Sequence, residues 1–356
     1  GLTPAQWASI KQSVRNCNAA AGDARQPDMV TFLGWEWTQI GDTADEHYGH
    51  KNVVLRDTAE DAVPLRPIAS REQLFPGGGN PYGLPMRLFF LAMAGGDQGR
   101  QPYHDFARFL QDRDELVPCE KGPGVRGLPA DCQESASTPA ELFSKLDQWN
   151  YPYLVIPHGN TWGIYTPPLT SWDKQLRAHQ DPEQHEYLIE VFSGHGNIEE
   201  YRPWRARAVD EAGNVYCPEP NAEYLPMCWQ AGEIIRERCL AAGESAAECE
   251  NRAQATRAGY LLSKDSGHWT VPGREVEDWL DAGQCRDCYM PAYDYRPGGS
   301  VQYGLAIRDF SQQGEPKRFR WGLLGSSDVH TARPGTGYKE VMRRNMSDAA
   351  LAQIGP

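Results

Sequence analysis

The residues best equipped for chemistry lie near the C-terminus, in Arg320-Trp-Gly-Leu-Leu-Gly-Ser-Ser-Asp328-Val-His330-Thr-Ala-Arg333. An apolar strand from Trp321 to Leu324 stops at small residues, then presents an acid and an imidazole two positions apart. In extended backbone such residues point the same way, so Asp328 and His330 converge just past the strand's end. A hard oxygen beside a borderline nitrogen suits a divalent ion such as Zn, Mn or Fe. Alone, the pair also reads as a polar turn after a core strand, but the pattern recurs. Glu36 stands between two large aromatics in Gly34-Trp-Glu-Trp-Thr38, an expensive place for a carboxylate with no partner. His158 ends Tyr153-Leu-Val-Ile-Pro-His and is followed by Gly159 and Asn160. His195 and Asn197 follow the run Tyr187 to Phe192. His50 opens His50-Lys-Asn-Val-Val-Leu55 and is preferred to His47 because it adjoins the strand.

These side chains need strands to hold them. Met29 to Leu33 reads as a buried strand that delivers Glu36 at its C-terminal end. Further apolar runs start at His50, Tyr153, Tyr187 and Trp321. Between them lie helical signals. Thr3-Pro4 opens a helix to about Asn16, and Ser137-Thr-Pro-Ala-Glu141 opens another through Trp149. Helices are also expected over 104–113, 233–241, 246–263 and 338–356. Strands separated by helices imply parallel β/α units, whose functional residues gather at the strands' C-terminal ends. The Pro- and Gly-rich stretch 56–99 reads as a surface excursion, because Pro76-Gly-Gly-Gly-Asn80 lacks the context of a phosphate-binding loop.

The chain has 356 residues, 40% hydrophobic and 23% charged, enough for a large α/β domain with an ample core. No apolar run is long enough for a transmembrane helix. A formal charge of −13 argues against nucleic acid or an anionic membrane as partner, though not against a small anionic substrate at a metal site. Nine cysteines fall into four sequential pairs (119/132, 217/228, 239/249 and 285/288), with Cys17 left over. Short disulfide-closed loops in an oxidising compartment, periplasmic or extracellular, account for them; a zinc site around Cys285 and Cys288 is the rival reading. Six of the nine lie between Arg202 and Pro297. That region is read as a mostly helical, disulfide-closed insertion (201–297) between a first part (1–200) and a final strand with a closing helix (298–356).

Taken together, Gly-Trp-Glu36-Trp-Thr, His50-Lys-Asn-Val-Val, Ile-Pro-His158-Gly-Asn, Glu190-Val-Phe-Ser-Gly-His195-Gly-Asn and Gly-Ser-Ser-Asp328-Val-His330-Thr resemble the motifs of the PHP (polymerase and histidinol phosphatase) superfamily. More narrowly, they resemble its branch catalogued as domain of unknown function 3604. The resemblance covers about residues 28–55, 150–200 and 318–340. It implies an α/β fold, a distorted (β/α)7 TIM-like barrel, holding two or three divalent metals and hydrolysing phosphoesters. Ligand roles carry over to Glu36, His50, His158, Asp328 and His330. His195, Asn160 and Asn197 are placed toward substrate, with His195 acting on the leaving group. Lys51 and Arg333 are candidates for neutralising substrate charge, their plain alternative being surface cations. The family opens with an Asp-x-His-x-His strand and an Asp-His pair, and neither precedes Glu36. The expectation is a missing upstream segment, which would also supply a partner for Cys17; the alternative is a degenerate member with a weakened site.

The expected activity is therefore metal-dependent hydrolysis of a small, phosphorylated substrate. The same ligands suit an amide or sulfate-ester hydrolase, and a secreted scaffold with a vestigial site is the non-catalytic rival. Rings such as Trp35, Trp37 and Trp321 lie inside strand runs and are expected in the core rather than on a sugar-stacking platform. The sequence does not fix an oligomeric state.

Overall fold

The computed structural model describes residues 2–71, 105–159, 166–193, 199–283 and 297–328, apart from short gaps within these ranges. Helix α1 (Pro4–Ala20) starts where the sequence places it: Thr3 accepts from the Gln6 N–H, the Gln6 side chain answers to the Thr3 N–H, and Pro4 follows. The first strand, β1 (Leu33–Gln39), begins later than expected. Met29, Val30 and Phe32 are exposed and precede the ladder, so Glu36 sits in mid-strand rather than at the strand's end. Strand β2 (Gly49–Leu55) pairs with it antiparallel.

The stretch after β2 is not a surface excursion as far as Arg71. Val63, Arg66 and Ile68 are buried there, and β3 (Ile68–Ala69) joins a small parallel sheet with β4 (Val117–Pro118) and β5 (Cys132–Ser135). Arg66 donates to the Glu134 carboxylate and to the carbonyls of Val125 and Pro129, which is how a guanidinium tolerates full burial. Helix α2 (Pro139–Trp149) is capped by the Thr138 hydroxyl and ends at Asn150 in a left-handed conformation, φ 53°. It buries Leu142, Phe143 and Leu146 against Trp37, Val53 and Val155.

Strand β6 (Tyr153–His158) pairs antiparallel with β2, giving the order β1-β2-β6. This departs from the parallel β/α expectation. A nine-residue loop, Ile40 to Tyr48, returns the chain directly to the sheet, with no helix to impose a crossover. The parallel expectation holds for β7 (Leu188–Phe192) and its partner near the C-terminus, described below.

Beyond β7, the hairpin β8 (Ala208–Val209) and β9 (Val215–Tyr216) leads to α3 (Met227–Ala241) and α4 (Ala246–Leu262). These two helices pack on each other around Met227, Ala231, Ile234, Tyr260 and Trp279. Disulfides Cys217–Cys228 and Cys239–Cys249 tie this region, and Cys119–Cys132 ties β5 to the β4 end. The expected pair of Cys285 with Cys288 lies outside the described residues, as does the expected closing helix over 338–356. A short helix, α5 (Val301–Ala306), precedes β10 (Gly322–Gly325), which runs parallel to β7. The fold is thus mixed α/β, built of helices and small sheets, and the strands form no closed barrel among the described residues. No described helix is long and apolar enough to cross a membrane.

Candidate metal centre

The sheet β1-β2-β6 has two unlike faces because side chains alternate along each strand. One face carries Trp37, Val53 and Val155 into the core with α2. The other carries Glu36 and Thr38 from β1, His50 from β2 and His158 from β6. Backbone register fixes this grouping, with Thr38 opposite His50 and His50 opposite His158. His50 Nδ1 lies 2.6 Å from Glu36 Oε1, and His158 Nε2 lies 3.9 Å from the same oxygen. The Thr38 hydroxyl also donates to Oε1, and the two imidazole rings stand edge to face at 5.7 Å.

Burial by itself would raise the Glu36 carboxyl. Hydrogen bonds from His50 and Thr38, together with the positive character of His50 and His158, outweigh it and hold the pKa down to about 2. Glu36 is therefore a carboxylate throughout the physiological range. His47 faces the opposite bias. Its ring is buried, and burial together with the nearby cationic groups of His50, Lys174 and Lys51 lowers its pKa to about 4. It is neutral at pH 7 and belongs to neither donor group, while its carbonyl, with those of Ala44 and Asp45, accepts from Lys174 Nζ.

A second group adjoins the first through His158. Asp328 follows β10 in a left-handed conformation, φ 41°, that a non-glycine residue keeps only when its surroundings hold it. Asp328 Oδ2 lies 3.9 Å from His158 Nδ1. Glu190, from the middle of β7, completes the set and is buried. Within each group, Glu36-His50-His158 and His158-Glu190-Asp328, one donor atom per residue lies within 4.8 Å of the others. Donors bound tetrahedrally to one ion at about 2.1 Å are about 3.4 Å apart, so side-chain shifts of about an ångström bring either group to ligation distance. Carboxylate oxygens mixed with imidazole nitrogens fit Zn, Mn or Fe better than Mg or Ca. The residues present thus fit a divalent cation, whose identity and number the donor set leaves open.

Of the residues singled out in the sequence, the structure brings together Glu36, His50, His158 and Asp328. It does not bring Lys51 to them. Lys51 points to the opposite face of β2, fully buried, with Nζ 2.8 Å from Gln175 Oε1, 3.4 Å from Glu186 Oε1 and 5.7 Å from the Trp172 ring centre. Burial pushes its pKa down, and Glu186 opposes that shift. His195, His330, Arg333, Asn160 and Asn197 lie outside the described residues. Glu190 and Thr38 were given no role from the sequence. A carboxylate inside the apolar run Leu-Ile-Glu-Val-Phe is a signal that could have found Glu190; nothing in the sequence marks Thr38. The chain matches no family model, no curated protein sequence and no solved structure.

Proposed function

We propose that this protein is a metal-dependent hydrolase, a phosphoesterase of the PHP type, acting on a small anionic phosphorylated substrate. One observation carries the reading: Glu36, His50, His158 and Asp328, from four separate stretches of chain, converge around His158. That convergence was expected from motifs resembling that superfamily, and the (β/α)7 barrel belongs to the same proposal. The chemistry that divalent ions, two or three in such a family, supply in such a donor set is a water acidic enough to attack at neutral pH, with charge stabilisation at phosphorus.

The chain's own residues prepare for this. Glu36 stays anionic because His50 and Thr38 hydrogen-bond it, so it meets a cation already charged. The ladder β1-β2-β6 holds Glu36, His50 and His158 on one face without relying on a loop. In this proposal, His330 joins the ligands, His195 serves the leaving group, Asn160 and Asn197 contact substrate, and Arg333 offsets phosphate charge. Lys51, a candidate with them on sequence grounds, supports β2 from behind through Glu186 and Gln175 instead of touching substrate. Three disulfides support a periplasmic or secreted location.

Phosphate release from a panel of phosphomonoesters, read with malachite green, tests the proposal. The wild-type protein is expected to turn over at least one member, and His158→Ala and Asp328→Ala proteins that still fold are expected to lose over 99% of that activity. Full activity in both variants overturns it. A purified chain that carries and takes up no divalent metal would point to the scaffold reading instead.

A further inference from the structure

Glu190 is a buried carboxylate, 5% exposed, that stands beside His158 and Asp328 in the second donor group. It projects from β7 to a place where the ends of β6 and β10 meet. Both of its oxygens are engaged by the chain: Oε1 accepts the Gly159 N–H at 3.3 Å, and Oε2 accepts from the Ser326 hydroxyl. Gly159 directly follows His158. Ser326 precedes Asp328 by two residues and is anchored to β7 a second time, its N–H donating to the Phe192 carbonyl at 2.9 Å. Both turns run through left-handed backbone: Gly159, at φ 69°, adopts it freely, whereas Asp328, at φ 41°, keeps it only where its surroundings hold it.

We propose that Glu190 is a positioning residue whose carboxylate clasps the turn after β6 to the turn after β10, setting the separation of His158 and Asp328. The inference rests on the metal-centre reading above. It differs from a ligand role in what it requires of the side chain. A ligand needs the negative charge. A clasp needs only an acceptor for the Gly159 N–H and a hydrogen-bond partner for Ser326 Oγ, and a glutamine meets both: its amide oxygen accepts and its amide nitrogen donates. Because the Ser326 hydroxyl can donate or accept, the reversal of that second bond costs no contact.

The test pairs Mn(II) titration by calorimetry with hydrogen exchange of the Gly159 amide. Glu190→Ala is expected to weaken Mn(II) binding at least tenfold and to speed Gly159 exchange at least tenfold in metal-free protein. Glu190→Gln is expected to stay within about threefold of wild type in both. Ser326→Ala, a change at an exposed position, is expected to fall between them, and it carries the test if Glu190→Ala does not fold. The proposal is overturned if Glu190→Gln binds Mn(II) as weakly as Glu190→Ala, because charge is then the requirement. It is also overturned if the alanine variant matches wild type in both measurements. If the wild-type protein itself binds no Mn(II), the metal-centre reading fails, while the exchange rates still decide whether the clasp exists.

Discussion

At the scale of single residues, the protein gives three of its histidines unlike surroundings. His47 is held neutral by burial, His50 is hydrogen-bonded to a carboxylate, and His158 stands with one nitrogen toward Glu36 and the other toward Asp328. A neutral imidazole has a single lone pair, so a cation held by one nitrogen of His158 leaves an N–H facing the carboxylate on the other side. The His47 environment has a measurable consequence. Its folded pKa of about 4 lies below the ordinary 6.5, so above pH 6.5 neither state is protonated and nothing is lost. As pH falls from 6.5 toward 4, the unfolded chain takes up a proton that the folded one refuses, and stability drops by about 3 kcal/mol in all. Glu36 works in a different window, its contribution being lost only as pH falls from about 4.5 to 2. Urea unfolding with chelator present should therefore show wild type losing about 2 kcal/mol more than His47→Gln between pH 7 and pH 5. Equal slopes in the two proteins would show that His47 is not the group responsible.

At the scale of elements, legibility followed how local the signal is. The capping residues Thr3 and Thr138 are read from a few neighbours, and both helices begin where those residues place them. The short cysteine spacings are equally local, and three of the four expected pairs are formed in the structure. Strands β6 and β7 were legible as apolar runs. The direction of β2 was not: it depends on the path of the loop from Ile40 to Tyr48, which contains no tight two-residue turn motif to announce a hairpin. The start of β1 was misplaced because Met29 to Phe32 have strand composition but no ladder partner. The sequence places Lys51 toward substrate, with a surface cation as the alternative, and neither holds: adjacent residues of a strand face opposite sides, and only the pairing of β2 shows which side is core. Its environment predicts a structural effect. Lys51→Met leaves the Glu186 carboxylate buried without its ammonium and should cost about 3–5 kcal/mol in chemical unfolding. Adding Glu186→Leu should restore most of it. A single variant as stable as wild type would mean that the pair contributes nothing.

At the scale of the whole molecule, apolar packing among the described residues is divided among separate clusters: one under α2, one between α3 and α4, one around Trp172, Phe319 and Trp321, and one around Trp7, Leu33 and Leu55. The disulfides sit mostly with the second cluster, where the helices have weak amphipathic faces and a crosslink matters more. Loops of 10 to 13 residues closed in this way are worth about 3 kcal/mol each. Reduction should accordingly lower the unfolding temperature, with thiol counting under native, unreduced conditions finding Cys17 reactive and the six paired cysteines protected. An unchanged unfolding temperature in reductant, with those six thiols confirmed as free, would remove the crosslinks from the stability account. The donor groups themselves come from β1 near the start of the chain and from the turn after β10 near its end. An ion bound in either group would act as a detachable rivet between stretches far apart in sequence, joining Glu36 and His50 to His158, or His158 to Glu190 and Asp328. Global unfolding then requires ejecting that ion, and resistance to heat or protease rises with the concentration of free metal, by about 2.7 kcal/mol when the metal stands at a hundred times its dissociation constant.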